Sequence, residues 1–203
     1  MIYILNIFKH LNVILTHKKE VLRLSFISGI PIRGILHDLS KFSLVEFFES
    51  VKYYNGSESP IKVCKRQTGK SLAWLHHKAH NKHHWEYWVD DLTHGGRGIE
   101  MPYKYALEMA IDIISASKTY NKDNWESKLL DEYWKTNRKS LMIHPKTLEF
   151  LDLIFEDYVK YGDLSLKKEH TKRKYKNIKN INKEKFHLRK SKYISVPRTY
   201  HTL

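Results

Sequence analysis

The sequence predicts an all-α protein, a single helical bundle with a basic C-terminal extension. Apolar residues recur at helical spacing along most of the first 160 positions, whereas the strict alternation of a half-buried strand is rare. Capping and breaker residues divide this region into separate helices. A chain of 203 residues can bury a hydrophobic core. We predict a helical domain over residues 1–162 and a basic, partly disordered tail over 163–203.

The N-terminal segment MIYILNIFKHLNVIL predicts a core-facing helix rather than a signal peptide. No basic residue precedes the apolar stretch and no small-residue cleavage site follows it. No apolar run reaches the roughly 18–20 residues that span a bilayer. One cysteine excludes an internal disulfide, so a cytoplasmic location is expected. The apolar positions expected to face the core are Ile4, Ile7, Phe8, Leu11, Ile14 and Leu15.

Between residues 31 and 70 the pattern predicts a bend, a helix and a loop. Pro31 marks the bend before the segment ILHDLSKF. Ser43 and Glu46 form a capping-box pattern that opens a helix over SLVEFFESVKYY. A loop is expected over residues 55–69, which include an Asn-Gly pair and Pro60.

Glycine and proline residues delimit the remaining predicted helices. The segment SLAWLHHKAHNKHHWEYWVDD is expected to be one long helical stretch, stopped by the GGRG loop. Pro102 suits the first turn of the next helix, YKYALEMAIDIISASKTY, which keeps an apolar or small stripe. Pro145 opens a last helix whose apolar face includes Leu148, Leu151 and Phe155.

The net charge of +14 is concentrated in the tail, where 13 Lys and Arg face 3 Asp and Glu. Excess charge governs solubility and non-specific binding rather than fold. We expect the tail to be a solvated extension. Tyr175, Phe186 and Tyr193 lie among its lysines and could stack on bases, so non-specific nucleic-acid contact through the tail remains an alternative.

Five of the thirteen histidines fall within nine residues, which predicts a metal site. On a helix, positions 77, 80 and 84 share one face, and positions 76, 80 and 83 form the neighbouring stripe. Neutral imidazoles that converge on one point suit a divalent transition metal. The members of the cluster are His76, His77, His80, His83 and His84.

A second set of candidate ligands is spread along the chain. His17 precedes the contiguous pair His37 and Asp38, and Asp112 lies in an otherwise apolar helical run. Neighbouring helical residues project about 100° apart, so His37 and Asp38 could both reach one ion only at the edge of their helix. A buried carboxylate is costly unless a cation compensates it, which favours Asp112 as a fourth ligand.

The order His17, His37-Asp38 and Asp112 on successive helices resembles the HD-domain superfamily of metal-dependent phosphohydrolases. Its HD-x-x-K form is matched by HDLSK at residues 37–41. The histidines between the HD pair and the distal Asp resemble the branch that holds a second ion. More closely, HDLSKFS, AWLHHKAHNKHHWEYW and EMAIDIISASKTY resemble the family DUF5662, over roughly residues 8–160.

The resemblance implies a role for each matching residue. The first metal would be held by His17, His37, Asp38 and Asp112. The second would be held by His77 and His84 with Asp38 bridging, and His80 or His83 could substitute. Asp38 and Lys41 are the catalytic candidates, Lys41 as a point charge for a phosphate oxygen. Candidate substrate contacts are Asn81, Arg97, Lys118 and Tyr120, and candidate orienting acids are Glu86 and Glu108.

The function expected from the resemblance is hydrolysis of a nucleotide or another small phosphorylated substrate. The cofactor would be one or two divalent transition-metal ions (Mn, Fe, Zn, Co or Ni). Two alternatives stay open: a di-iron HD-type oxygenase, which would use the same ligands, and a non-catalytic helical protein that binds nucleic acid. No membrane partner is expected, and the sequence leaves the oligomeric state open.

Overall fold

The computed structural model describes residues 2–90 and 97–178, with side chains over 4–90 and 98–178. Within these ranges the protein is all-α apart from one short ribbon, in which β1 (Val89–Asp90) pairs antiparallel with β2 (Arg97–Gly98). The helices are α1 (Ile2–Ile27), α2 (Pro31–Leu36), α3 (Leu44–Lys52), α4 (Pro60–Thr68), α5 (Leu72–His80), α6 (Tyr103–Asn121), α7 (Ser127–Asn137), α8 (Pro145–Tyr161) and α9 (Lys168–Asn177). Short 3₁₀ turns occupy Leu39–Phe42, Trp85–Trp88, Lys122–Asn124, Arg138–Ser140 and Gly162–Leu166.

Helix α6 lies at the centre of the core. Leu107, Ile111 and Ile114 on this helix are fully buried, and α1 and α8 pack against it. Each such side chain contributes roughly 1.5–3 kcal/mol when it leaves water. Because Asp112 lies between buried apolar positions of α6, the core holds its backbone rigidly in place.

The buried face of helix α1 matches the expected one only in part, since Ile14 is buried as expected. The expectation that Ile4, Phe8 and Leu15 face the core is wrong, because these side chains are 61%, 65% and 50% exposed. The helix is apolar on two sides, so its periodicity does not show which side packs inward. The buried stripe is His10, Ile14, His17, Val21 and Leu24.

Local signals correctly locate two helix starts but miss a third. The Ser43 side chain accepts a hydrogen bond from the backbone N–H of Glu46 at 3.3 Å, and Pro145 opens α8, both as expected. The loop expected over residues 55–69 is wrong in its second half, where α4 forms. Pro60 occupies the first turn of α4, where the missing N–H of proline costs nothing.

The segment from residue 71 is not one long helix. Helix α5 ends at His80, and Asn81 adopts an extended conformation. The Asn81 amide donates to the carbonyl oxygen of His77 at 2.8 Å and to the Ser40 hydroxyl at 2.7 Å. These contacts terminate the helix, so residues 82–84 turn back toward the core instead of continuing its spiral.

The first part of the expected tail packs on the domain. Leu166 and Thr171 are fully buried, and the Tyr175 hydroxyl donates to the carbonyl oxygen of Met101 at 2.6 Å. The boundary expected after residue 162 therefore does not mark the end of the packed chain. The rest of the tail, with Phe186 and Tyr193, lies outside the described residues. None of the described helices combines the length and apolar character that a bilayer crossing needs.

Candidate metal centre

The turn after α2 presents two consecutive side chains to one point. Helix α2 ends at Leu36, His37 is extended, and Asp38 adopts a left-handed conformation with φ +55°. Because the backbone reverses here, His37 and Asp38 need not project 100° apart as they would on a helix. The Lys18 ammonium holds this turn against α1 by donating to the carbonyl oxygens of Ile35 and His37, each at 2.8 Å.

The first group of ligand atoms joins α1, the α2 turn and α6. His17 Nε2 lies 3.0 Å from Asp112 Oδ1 and 3.3 Å from His37 Nε2. His37 Nε2 lies 3.3 Å from Asp38 Oδ2 and 3.5 Å from Asp112 Oδ1. One ligand atom from each of the four residues falls within 4.8 Å of the others. The set proposed from the sequence for a first ion is therefore brought together.

The second group adjoins the first through Asp38. Asp38 Oδ1 lies 3.3 Å from His83 Nε2 and 3.4 Å from His77 Nε2. His83 Nε2 also lies 3.8 Å from Asp112 Oδ2. The four residues whose ligand atoms lie within 4.8 Å of one another are Asp38, His77, His83 and His84.

His83 joins this group and His80 does not. His83 is 1% exposed, whereas His80 lies on the surface, stacks on His76 and bonds to the carbonyl oxygen of His76. The helical spacing that placed residues 77, 80 and 84 on one face does not apply, because α5 ends at His80. The turn at Asn81 brings His83 and His84 inward instead.

Two buried glutamates lie behind the histidines and orient them. Glu108 Oε1 lies 3.2 Å from His37 Nδ1 and 3.4 Å from His83 Nδ1. Glu46 Oε2 lies 2.7 Å from His77 Nδ1. A ring whose Nδ1–H faces a carboxylate presents the lone pair of Nε2 on its other side, and that side faces the centre.

Glu108 lies where an orienting residue was expected, and Glu46 is a second acid beside the histidines that the sequence did not reveal. Its only sequence signal was the capping box, but its carboxylate contacts His76 and His77 instead of the helix start. Among the described residues, Glu86, the other expected orienting acid, forms no hydrogen bond with a histidine. Burial raises the pKa of Glu86, which favours its neutral form.

The atoms at the centre lack partners that would satisfy them. Among the described residues, Asp38 Oδ1, both ring nitrogens of His83 and His84 Nε2 are buried without a hydrogen bond. The Nε2 atoms of His17 and His37 face each other, and two imine nitrogens at that distance repel unless a proton or a cation lies between them. Buried unpaired polar atoms are costly. This donor set of imidazoles and carboxylates fits a divalent transition metal.

The acids of the centre are ionised. Burial alone would raise the pKa of Asp38, but the charges of His37, Lys41 and His77 hold it well below its usual value. Burial likewise opposes ionisation of Asp112, and hydrogen bonds from His17 and His37 outweigh it, lowering the pKa. These surroundings favour the ionised carboxylates, which are the forms that bind a cation.

The same charges act on the histidines. Burial alone would lower the pKa of His37, but the charge of Asp38 and hydrogen bonds to Asp112, Asp38 and Glu108 raise it well above its usual value. Burial holds the pKa of His84 well below its usual value, and the neighbouring His83 and His77 lower it further. His84 is thus neutral and able to offer a lone pair.

Lys41 and Tyr120 lie beside the centre. Lys41 Nζ is 2.6 Å from Asp38 Oδ2, and its side chain is 28% exposed, so it lies at the boundary between the centre and solvent. Burial raises the pKa of Tyr120, with the charge of Lys41 opposing this shift. Asn81 is also at the site, where its amide is occupied in ending α5.

Of the two remaining expected substrate contacts, Lys118 is engaged in other contacts and the side chain of Arg97 is not described. Lys118 Nζ is 2.9 Å from Glu20 Oε1 and lies over the Trp125 ring, so its charge is used in the protein's own contacts. The side chain of Arg97, and residues 91–96 of the glycine-rich loop before it, lie outside the described residues.

The fold and the site together define a helical domain with a buried cluster of histidines and acids. The model of DUF5662, a family of unknown function, matches residues 6–157. The chain belongs to this family. No curated protein and no solved structure matches the chain.

Proposed function

We propose that this chain is a metal-dependent phosphohydrolase with two adjoining metal sites, as its resemblance to the HD-domain superfamily implies. The observation that supports the proposal is the sharing of Asp38 by two groups of ligand atoms. One carboxylate oxygen lies 3.3 Å from His37 Nε2, and the other lies 3.4 Å from His77 Nε2 and 3.3 Å from His83 Nε2. A bridging carboxylate of this kind is typical of two-metal hydrolytic sites.

The ligands follow from these two groups. The first site would be formed by His17, His37, Asp38 and Asp112, and the second by Asp38, His77, His83 and His84. His83 replaces the His80 alternative. Two bound divalent ions would lower the pKa of a water between them toward neutrality and offset the charge of a phosphoryl group.

The chain's own side chains would position the substrate. One N–H of the Lys41 ammonium points to Asp38. Its other two N–H groups can donate hydrogen bonds to a phosphate oxygen from the open side. Asn81 would act through His77, because its amide fixes the end of α5. Glu108 and Glu46 would hold the imidazole tautomers without touching substrate.

The test combines elemental analysis with a substrate screen. The full chain, purified without chelator, is expected to contain one or two equivalents of Mn, Fe, Zn, Co or Ni and to hydrolyse phosphomonoesters or phosphodiesters. His83→Ala should reduce the bound metal and the turnover together. His80→Ala is the matched control, because it removes a histidine three residues away that lies outside both groups.

Two results would refute the proposal. If His80→Ala lost metal as fully as His83→Ala, ligation would not follow the observed clusters. If the metal-loaded protein hydrolysed no phosphoester but consumed oxygen with bound iron, the oxygenase alternative would replace the hydrolase. Asp38→Asn, which keeps the side-chain shape, should abolish turnover while circular dichroism retains the helical signal.

A further inference from the structure

Helix α1 carries a second apolar stripe on the side opposite to its buried face. The stripe consists of Ile4, Phe8, Leu11, Leu15, Leu22 and Phe26. Its spacing of three and four residues keeps these side chains on one face of the helix. Lys18 fills the position between Leu15 and Leu22, but its ammonium is turned onto α2 carbonyl oxygens. Lys19, the other residue at helical spacing between Leu15 and Leu22, is exposed at the edge of the stripe.

Helix α2 widens this stripe at its C-terminal half. Gly34 of α2 packs on α1 so closely that an added Cβ would lie 2.6 Å from Ser25 Cβ and 3.2 Å from Leu22 Cα. This contact leaves Ile32 and Ile35 of α2 exposed, 70% and 52% respectively. We call the stripe together with these two residues the α1–α2 apolar face.

The face is as large as the largest apolar patches of monomers, and such patches are often functional. Its most exposed members are half to two-thirds open to solvent. With about 150 Å² for each large apolar side chain, the open apolar area is on the order of 500–600 Å². A patch of that size is at the upper limit for monomers. A polar rim would extend it to the roughly 800 Å² per partner of a standard interface.

We propose that the α1–α2 apolar face binds a second copy of this chain. The spacing of three and four residues along α1 is typical of helix pairing. A twofold axis through Leu15 would pair the two α1 helices antiparallel. Ile4 would then meet Phe26 of the second copy, and the N-terminal half of each α1 would cover the exposed isoleucines of the other α2.

The mass of the full chain in solution tests this proposal. Light scattering across a concentration series should give twice the 24.3 kDa chain mass. Leu15→Glu would place two carboxylates against each other at the axis and should weaken the dimer by about 100-fold or more. Leu75→Glu on α5 is the matched control, because Leu75 is 52% exposed against 50% for Leu15. It should leave the dimer intact.

A cross-link tests the orientation independently of that variant. Leu15→Cys should form a disulfide-linked dimer under mild oxidant, and Leu75→Cys should not; the native Cys64 is buried in both. If Leu15→Glu loses helical signal, the cross-link decides. The proposal is overturned by a monomer at every concentration or by a dimer that Leu15→Glu leaves intact. It is also overturned by a monomer that binds phosphatidylcholine–phosphatidylserine vesicles through this face.

Discussion

Glu108→Gln tests whether one buried acid organises the whole centre. Glu108 is fully buried and accepts two hydrogen bonds from Arg33, at 2.7 and 3.1 Å. It also faces the Nδ1 atoms of His37 and His83, one from each group of ligands. Glutamine fills nearly the same volume, so the substitution removes the charge while largely preserving the packing.

The magnitude follows from these contacts. Burial opposes ionisation of Glu108, but its contacts with His37, His83 and Arg33 lower its pKa to about 2. Gln cannot compensate the Arg33 guanidinium, and removing one partner of a buried pair costs about 3–5 kcal/mol. Arg33 is partly exposed, so we expect a loss near the lower end, about 3 kcal/mol. Loss of an orienting contact also lowers metal affinity about 10–100-fold.

Urea unfolding of the metal-free protein measures the loss of stability, and competition with a chromogenic chelator measures the loss of metal affinity. Glu100→Gln is the matched control, since Glu100 bonds Lys146 and Tyr175 near the protein surface. It should cost about 1 kcal/mol or less and leave metal affinity unchanged. Unchanged metal affinity in Glu108→Gln would refute the orienting role. Equal losses in both variants would show that the effect is not specific to the centre.

Three further predictions concern pH, packing and metal. Burial, followed by the charge of Lys41, lowers the pKa of His10 from 6.5 to about 4. The contribution of neutral His10 to the free energy of unfolding is therefore fully present above pH 6.5, and up to about 3 kcal/mol of it is lost as the pH drops to 4. His10→Gln should reduce this pH dependence in urea titrations. Gly34→Ala should cost about 1–3 kcal/mol in a thermal melt because its Cβ would clash with Ser25; an unchanged melting temperature would contradict the packing. Removing bound metal with a chelator should lower the free energy of unfolding by about 3–4 kcal/mol, for an ion supplied at 100–1,000 times its dissociation constant. Scanning calorimetry measures this change, and a melting temperature that the chelator leaves unchanged would contradict the prediction.

The ligand types were predictable from the sequence, but their selection was not. Histidines and a lone acid in an apolar run stand out in the sequence whatever the backbone does, which is why His17 and Asp112 could be named as candidate ligands. The choice between His80 and His83 depends on where α5 ends. That end is fixed by the contact of Asn81 with Ser40, a residue 41 positions earlier. A tertiary contact of this kind leaves no local pattern.

The same limit explains the errors in the fold. Periodicity gives the apolar sides of α1 but not which of them meets α6, so Phe8 was expected inside and lies outside. Pro60 breaks a helix only when it lies inside one; at the first position of α4 it starts the helix. Glu46 looked like a capping residue, and only the packing of α5 on α3 shows that its carboxylate faces histidines.

The charge of the centre shows why this cluster is a poor candidate for a purely structural role. Among the described side chains, its buried or largely buried carboxylates are Asp38, Glu46, Glu108 and Asp112, and the permanent cations that contact them are Arg33 and Lys41. A core selected only for stability would replace such a network with apolar residues, often at no cost in stability. The remaining negative charge must be balanced by protonated imidazoles or by bound cations. Without a metal, His37 would compensate one of the acids, because its pKa lies well above its usual value. Divalent ions would balance the other acids and would also use the lone pairs that Glu46 and Glu108 direct inward.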